Sequence, residues 1–201
     1  MTKPLHPRQL PYMTIGGFSL TAALVDQDAT ASAQAACLQA FARELDYLGR
    51  TLRRLGAPAS DIEDLVHEVF LVLCRKWAGY DPTRPLRAYL FGIAFRVTAA
   101  HQRRAHREVP TETLIEVDDG APHPDERLEI AEARALVLRA LEAVPLKRRA
   151  VLILHDLDEM PMHDIAAVLA IPRFTAYSRL RKARKELQAA ILSIRANERH
   201  P

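Results

Sequence analysis

Apolar residues recur at steps of three and four from residue 31 onward, which is the spacing of one face of an α-helix. Between Ala31 and Leu55 this stripe predicts a first helix, ended by Gly56 and Pro58. Its members are Cys37, Leu38, Phe41, Leu45, Leu48, Leu52 and Leu55. Residues 1–30 show no sustained periodicity, so we expect a flexible extension there and assign it no function.

A second helix is predicted from a capping box, because Ser60 and Glu63 have the S-x-x-E spacing that opens many helices. The helix is expected to run through Trp77. Its inward face comprises Ile62, Leu65, Val66, Val69 and Leu73. Its outer face gathers three carboxylates, Asp61, Asp64 and Glu68.

The composition changes sharply after a third helix, which is expected from about Leu86 to Arg107. Between Glu108 and Glu129 there are eight acidic residues and one basic residue, and prolines and a glycine interrupt any regular element. This composition predicts a linker. We therefore divide the chain into an extension (1–30), a first domain (31–107), a linker (108–127) and a second domain (128–201).

Helical spacing returns after the linker. One helix is predicted from Leu128 to Pro145 and another from Lys147 to about Leu157. Two short helices follow, at 162–170 and from 173 to about 194, and the tight turn Ala-Ile-Pro between them is typical of a helix-turn-helix. No segment alternates convincingly as a strand. The sequence thus predicts an all-α protein of two small helical domains joined by an acidic flexible linker, with a helix-turn-helix in the C-terminal domain.

The last predicted helix carries a concentrated basic face. Its apolar positions Ala176, Leu180, Ala183 and Leu187 turn inward, which leaves Thr175, Ser178, Arg179 and Lys182 in line on the exposed side. The flanking residues are Arg173, Tyr177, Arg181, Arg184 and Lys185. Such a helix can present small hydroxyl residues to base edges while its cations hold phosphates. The alternative is an ordinary solvated basic face, and the preceding short helix and turn favour the helix-turn-helix.

Composition narrows the classes of function. The 201 residues are 49% hydrophobic and 26% charged, as in globular proteins that bury a core. The net charge is only +3, so a nucleic-acid footprint must come from local clusters. Three prolines and a glycine pair interrupt the first twenty residues, and no later segment is long enough to span a bilayer. We expect a cytoplasmic protein without membrane insertion.

No catalytic residues, metal or cofactor are predicted. Cys37 and Cys74 stand far apart without metal-ligand spacing, which argues against zinc and against a disulfide framework. We interpret both as buried small apolar side chains in a reducing compartment. The cluster from His155 to Met160 lacks a second His or Cys partner and is interpreted as an exposed turn. No Gly-rich phosphate loop or nucleophile constellation occurs.

The two domains together resemble a known family. In the first, seven residues match the pattern D-x-E-D-L-x-Q-E-V-F, namely Asp61, Glu63, Asp64, Leu65, Glu68, Val69 and Phe70. A following element is matched by Tyr89, Leu90, Ile93, Ala94, Arg103 and Arg104. The second domain resembles the pattern I-A-x-x-L…T-V-x-S-R-L-x-R-A-R at Ile165, Ala166, Leu169, Thr175, Ser178, Arg179, Leu180, Ala183 and Arg184. Over residues 35–195 the chain resembles the extracytoplasmic-function group of bacterial RNA polymerase sigma factors.

The resemblance implies a partner for each surface. Core RNA polymerase is expected to bind Asp61, Asp64, Leu65, Glu68 and Phe70. The −10 promoter element is expected to be recognised and melted by Tyr80, Arg84, Arg87, Arg96, Arg103 and Arg104. The −35 element is expected to meet Arg173, Thr175, Tyr177, Ser178, Arg179 and Lys182. Such proteins are often held by an anti-sigma factor, so the resemblance adds that partner too.

Some positions depart from the family pattern. His67 replaces a Gln, Arg96 a common Asn and Ala100 a common Asp, while Phe174 stands at a usual Gly and Tyr177 at a common Lys. Two other classes of function stay open at this point. One is a helix-turn-helix regulator that never engages polymerase and so has no need of segment 61–70. The other is an adaptor whose helical surfaces bind only proteins.

Overall fold

The computed structural model describes residues 32–108 and 124–198, with side chains described over 32–107 and 131–198. The predicted extension and most of the predicted linker lie outside these ranges. In chain order the α-helices are α1 (32–42), α2 (Leu45–Arg54), α3 (Ile62–Lys76), α4 (Leu86–Glu108), α5 (Pro124–Glu142), α6 (Leu146–Leu152), α7 (Met162–Val168) and α8 (Arg173–Glu198). No strand occurs in the described ranges, and the predicted all-α fold is confirmed. None of the described helices is long and apolar enough to cross a membrane.

The predicted first helix is in fact two helices. The chain turns at residues 43–44, where the N–H of Glu44 donates to the carbonyl of Phe41 at 2.9 Å. The Glu44 carboxylate accepts a hydrogen bond from Arg87 of α4 at 2.7 Å, a contact between distant segments that apolar spacing does not encode. The change of direction leaves Leu38 and Leu45 exposed, although the sequence placed both on the buried stripe.

α1 lies on α3 through two contacts one helical turn apart. The ring of Phe41 packs against Phe70 with centroids 4.9 Å apart, and the Sγ atoms of Cys37 and Cys74 are 3.6 Å apart. The pairs 37–74 and 41–70 run in opposite directions along the chain, so the two helices are antiparallel. Cys37 is buried as predicted, but Cys74 is exposed, which corrects the prediction of two isolated buried thiols.

Gly56 ends α2 as the sequence predicts. Its φ of +86° is a left-handed conformation that glycine adopts without steric cost. The N–H of Gly56 donates to Arg53 at 2.9 Å and that of Ala57 to Leu52 at 3.0 Å, which is the Schellman pattern of a helix C-terminus. The chain then turns back toward α3.

α3 begins without the predicted capping box. A 3₁₀ turn, Ala59–Asp61, leads into the helix, and the Ser60 hydroxyl donates to the Asp61 carboxylate at 2.7 Å rather than capping the backbone. The predicted inward face is otherwise found. Leu65, Val69 and Leu73 are buried, and Ile62 and Val66 pack beside them half-buried.

α4 is the central helix of the N-terminal half (α1–α4), packed against both α2 and α3. Its buried residues form a wide apolar surface comprising Leu90, Phe91, Ile93, Ala94 and Val97. A stripe of that width suits a helix covered on more than one side. The second side is covered by α7: a Cβ added at Gly92 would lie 3.4 Å from the carbonyl oxygen of Val168. α7 therefore lies in van der Waals contact with this side of α4.

The turn between α7 and α8 is built without glycine. Ala170 has φ +52°, in the left-handed region that alanine rarely adopts. Its N–H donates to Ala167 at 3.2 Å and the N–H of Ile171 donates to Ala166 at 2.9 Å, so a Schellman pattern ends α7. Pro172 follows and α8 begins at once. The predicted helix-turn-helix is confirmed in this geometry.

The C-terminal half (α5–α8) packs directly against the N-terminal half. Contacts between α2 and α5 and between α4 and α7 join buried residues of both halves into one core. The Tyr47 hydroxyl donates to the Asp158 carboxylate at 2.8 Å, and Arg54 lies 3.6 Å from the same carboxylate. Asp158 follows a π-helical turn, Ile153–Leu157, that continues α6. The segment from His155 to Met160 was predicted to be an exposed turn, whereas its residue Asp158 forms part of the contact between the halves.

A buried arginine completes that contact. Arg149 of α6 is 6% exposed and donates to the carbonyls of Val144 at 3.0 Å and Glu142 at 2.8 Å, where α5 ends. Burial lowers the pKa of Arg149 to about 10, so its guanidinium remains charged at neutral pH. A Cβ added at Gly56 would collide with this guanidinium. The glycine that ends α2 therefore also makes room for the C-terminal half.

Candidate nucleic-acid interface

The recognition face of α8 consists of Thr175, Ser178, Arg179 and Lys182. Ala176, Leu180 and Ala183 are buried beneath the helix, as their spacing predicts. Lys182 is exposed, and the other three members of the recognition face are half-buried because they line a cleft between the halves. Arg173 is exposed at the start of the helix, beside Phe174 at 84% exposure and Tyr177 at 55%.

Arg184, one of the predicted flanking cations, is engaged within the protein. It donates to both carboxylate oxygens of Asp156, at 2.6 and 2.9 Å. This bidentate bond, aided by His155, holds the pKa of Asp156 below its usual value. The segment from His155 to Met160 therefore anchors α8 through an ion pair. No cluster of metal-ligating side chains was found among the described residues.

The arginine cluster of α4 comprises Arg96, Arg103 and Arg104. All three side chains are exposed. Arg96 donates to the carbonyl of Gly92 within its own helix at 2.7 Å, and Arg104 donates to Glu68 of α3 at 3.2 Å. Arg103 lines the cleft that faces α8.

The loop before α4 holds an aromatic stack. The ring of Tyr80 lies on Trp77 with centroids 5.2 Å apart and planes 20° apart, and it is tilted against Tyr89 at the same distance. Its hydroxyl donates to the carbonyl of Arg84 at 2.7 Å, and burial raises the pKa of Tyr80 above its usual value. The stack fixes a half-buried ring with one end at the surface, which suits a platform for an unpaired base.

Arg84 and Arg87 differ in how firmly they are held. Arg84 lies 3.6 Å from Asp81 with both side chains largely exposed. Arg87 donates to Glu44 at 2.7 Å and lies over the ring of Tyr47, 5.2 Å from its centroid. The predicted nucleic-acid residue Arg87 thus also ties α4 to the turn between α1 and α2.

The acidic face at the start of α3, Asp61, Asp64 and Glu68, makes two contacts with α4. Asp61 lies 2.9 Å from Nε2 of His101, and Glu68 accepts the bond from Arg104, while Asp64 is exposed. Leu65 is 2% exposed, so its side chain belongs to the core in this conformation and offers no contact surface. Phe70 is half-buried under α1.

One residue of the arginine cluster, Arg103, lines a cleft of about 680 Å³ together with the recognition face. α4 supplies one wall, α8 the other, and the start of α6 the floor. The cations at its rim are Arg103, Lys147, Arg148, Arg179 and Lys182. The sequence predicted two separate nucleic-acid surfaces, and the fold brings one residue of the first, Arg103, into the cleft that the recognition face lines.

Comparison with known proteins identifies the family of this chain. Residues 40–108 match the family model described as sigma-70 region 2, and residues 134–187 match that described as sigma-70, region 4. The RNA polymerase sigma-E factor of Streptomyces avermitilis is 32% identical over 162 residues, which cover 77% of this chain and 86% of that protein. The ECF RNA polymerase sigma-E factor of Escherichia coli strain K12 is 26% identical over 140 residues, 65% of this chain and 73% of that protein. This chain belongs to the extracytoplasmic-function sigma factors.

A solved structure has the same fold as this sigma factor. The sigma factor RpoE of Bartonella quintana, in a co-crystal with the anti-sigma factor NepR, aligns with a TM-score of 0.60 and 24% identity. The alignment covers 76% of this chain and 94% of that one. The family predicted from the two sets of motifs is confirmed.

Several residues of the sigma factor's cleft could not be found from sequence. His106, Lys147 and Arg148 reach it only because the ends of α4 and α6 line the same cleft in the folded chain. Asp158, which bonds across the halves to Tyr47, carries no motif and precedes a left-handed turn at Glu159, φ +53°. The sequence marks these residues only as charged, and a charged residue most often lies on a solvated surface without a specific role.

Proposed function

We propose that this sigma factor binds core RNA polymerase and directs it to promoters that carry a −10 and a −35 element. The observation that carries the proposal is the recognition face, four polar side chains held outward on α8 by a tight turn and a buried apolar face. A helix mounted in this way can enter a major groove with hydroxyls toward base edges and cations toward phosphates. Arg173 and Tyr177 flank the face and are assigned to the same −35 contact.

We assign the first domain, residues 31–107, to polymerase binding and the −10 element, and the second, 128–201, to the −35 element. The acidic face is the proposed polymerase contact, since exposed carboxylates set orientation and association rate against a basic partner. Two of its members are held by His101 and Arg104. A basic polymerase surface that displaces these partners frees Arg104 for promoter DNA, so polymerase binding would prepare the −10 surface.

The −10 surface combines an aromatic platform with cations. Tyr80 supplies the ring, while Arg84, Arg87, Arg96, Arg103 and Arg104 supply positive charge at several points along α4 and its preceding loop. Base–aromatic stacking is worth about 1–3 kcal/mol per base, and cations follow the backbone of the unpaired strand. Together they can hold an opened strand without reading every base.

Promoter binding requires the two halves to separate. Thr175, Ser178 and Arg179 line the cleft and are half-buried there, with α4 as the facing wall, whereas reading DNA requires these side chains to enter a major groove about 12 Å wide. A duplex therefore cannot reach the recognition face while α4 stands opposite it. Separation would break the Tyr47–Asp158 hydrogen bond and expose the apolar contact between α4 and α7.

The remaining assignments follow from the partners. A sigma factor of the same fold was crystallised with an anti-sigma factor, and we infer the same type of control here. Because polymerase and promoter DNA are its partners, we assign the protein to the cytoplasm. We assign it no catalytic activity of its own, since nucleotide transfer is the work of the polymerase.

The decisive experiment is reconstitution with core RNA polymerase. We expect co-elution on gel filtration and transcripts from discrete promoters, identified by sequencing 5′ ends made from genomic DNA. Arg179→Ala with Lys182→Ala should keep co-elution but weaken binding to the −35 element, and should reduce the slope of log K against log salt by about 2. Arg195→Ala, an exposed cation in the last turn of α8, is the matched control and should change neither.

The competing functions give different results. Specific DNA binding without co-elution would favour a regulator that never engages polymerase. Unchanged activity of the Arg179→Ala, Lys182→Ala variant would favour an adaptor that binds only proteins. Absence of polymerase binding by the purified chain, free of any inhibitor, would contradict the proposal.

A further inference from the structure

The contact between Cys37 and Cys74 joins a buried thiol to one that solvent reaches. Their Sγ atoms are 3.6 Å apart, with Cys37 1% exposed and Cys74 at the surface. The residues are far apart in sequence and meet only because α1 lies antiparallel on α3. Two thiols in contact can share one oxidation event, which an isolated thiol cannot.

The geometry permits a covalent bond. A disulfide needs sulfurs about 2.05 Å apart, so these must approach by about 1.5 Å, within reach of side-chain rotation and a small helix shift. The Phe41–Phe70 contact, one turn away on both helices, keeps the cysteines opposite each other. Large backbone movement is not required.

We propose that Cys37 and Cys74 are a redox site that closes to an intramolecular disulfide in the presence of a peroxide. The exposed Cys74 sulfur attacks one peroxide oxygen: an S–O bond forms, the O–O bond breaks, and a sulfenic acid and one water result. The sulfur of Cys37 then attacks that of Cys74: the S–S bond forms, the S–O bond breaks, and the departing hydroxide leaves as water with the Cys37 proton. In total, two thiols supply two electrons and two protons, and hydrogen peroxide becomes two waters.

The order of attack follows from burial. Burial, reinforced by the neighbouring Cys74, raises the pKa of Cys37 to about 11, so Cys37 stays protonated and shielded from solvent. Cys74 is the thiol that a dissolved peroxide reaches first. Cys37 is positioned to resolve the sulfenic acid before further oxidation.

The disulfide would link α1 covalently to α3, the helix that carries the acidic face. It closes a loop from residue 37 to residue 74 and so restricts the unfolded N-terminal half. In a reducing compartment such a disulfide is transient rather than structural, and its formation reports oxidant.

The primary test uses the wild-type chain with equimolar hydrogen peroxide. We expect the thiols titrated by Ellman's reagent in urea to fall from two to none, with a monomeric product in which the peptides of Cys37 and Cys74 are linked. Dithiothreitol should restore both thiols, and the oxidised form should melt on the order of 10 °C higher. Two remaining thiols, a sulfinic acid at Cys74, or disulfides only between molecules would overturn the proposal.

Two variants separate the roles of the sulfurs. In Cys37→Ala the sulfenic acid at Cys74 has no resolving partner, so dimedone should label it at least tenfold more than in the wild type. In Cys74→Ala the buried Cys37 should resist peroxide. Equal dimedone labelling of the wild type and Cys37→Ala would show that Cys37 does not resolve, and the wild-type titration does not depend on how well either variant folds.

Discussion

The substitution Gly56→Ala tests the packing of the two halves most directly. An alanine at φ +86° costs about 1–2 kcal/mol of backbone strain. Its Cβ would collide with the guanidinium of Arg149, which is held by two carbonyls of the C-terminal half. Displacing a buried group from such bonds costs about 1–3 kcal/mol. Alanine recovers about 0.4–1 kcal/mol by restricting the unfolded chain, so we expect a net loss of about 2–3 kcal/mol.

Gly49→Ala is the matched control. Gly49 lies inside α2, and no heavy atom would come within 4 Å of an added Cβ. Alanine is the better helix former by about 0.5–1 kcal/mol, so this variant should be more stable than the parent. Urea unfolding at equilibrium, with the m-value checked for each variant, measures both changes.

A double-mutant cycle measures the interaction free energy between Gly56 in one half and Arg149 in the other. In an Arg149→Met background the collision is removed, so Gly56→Ala should cost only the backbone part, about 1 kcal/mol. The difference between the two backgrounds is the coupling across the contact. If Gly56→Ala costs the same in both, the guanidinium does not lie on Gly56 in solution and the closed arrangement of the halves is refuted.

Three further changes have defined outcomes. Ala170→Gly relieves the left-handed alanine in the helix-turn-helix and should raise the free energy of unfolding by about 0.5–1 kcal/mol in urea titration, whereas a loss would mean that φ is not positive there. Because Arg184 lowers the pKa of Asp156, that ion pair stabilises the fold above the usual carboxyl pKa of about 4 and is lost as the pH falls through the lowered pKa. Asp156→Asn should therefore cost up to about 1 kcal/mol at pH 7 and nothing in strong acid, and an equal cost at both pH values would contradict it. Phe174→Ala should leave the melting temperature unchanged, since the ring is 84% exposed, and should change affinity for the −35 element in a gel-shift assay; a destabilised variant would show that the ring packs on the protein.

The spacing of apolar residues predicted the helices correctly where the buried residues and the helix-ending residues of the structure are those the sequence indicates. Val69 and Leu73 lie where their spacing put them, and Gly56 ends α2 by the conformation expected of glycine. Prediction failed where a distant residue intervened. The first predicted helix is divided at residues 43–44, where Glu44 bonds to Arg87 of α4, and no local pattern anticipates that bond.

In the candidate site, too, the sequence predicted the local features and missed the contacts between distant segments. The order of charges on α8 predicted the recognition face, because a helix with a fixed apolar stripe has only one way to present its polar residues. Whether those residues are free or engaged depends on neighbours: Arg184 is bound by Asp156, and Arg104 by Glu68. Such pairs join segments that are far apart in the chain, and sequence spacing does not record them.

The sequence by itself determined the family, the helices and the faces they present, since each depends on residues within a few turns of one another. The tertiary structure alone decided that Arg103 shares a cleft with the recognition face, that Asp158 bonds to Tyr47 across the halves while Arg149 packs on Gly56, and that Cys37 touches Cys74. These are distances between separate helices. They are set by how the buried faces pack, and periodicity along the chain carries no measure of that.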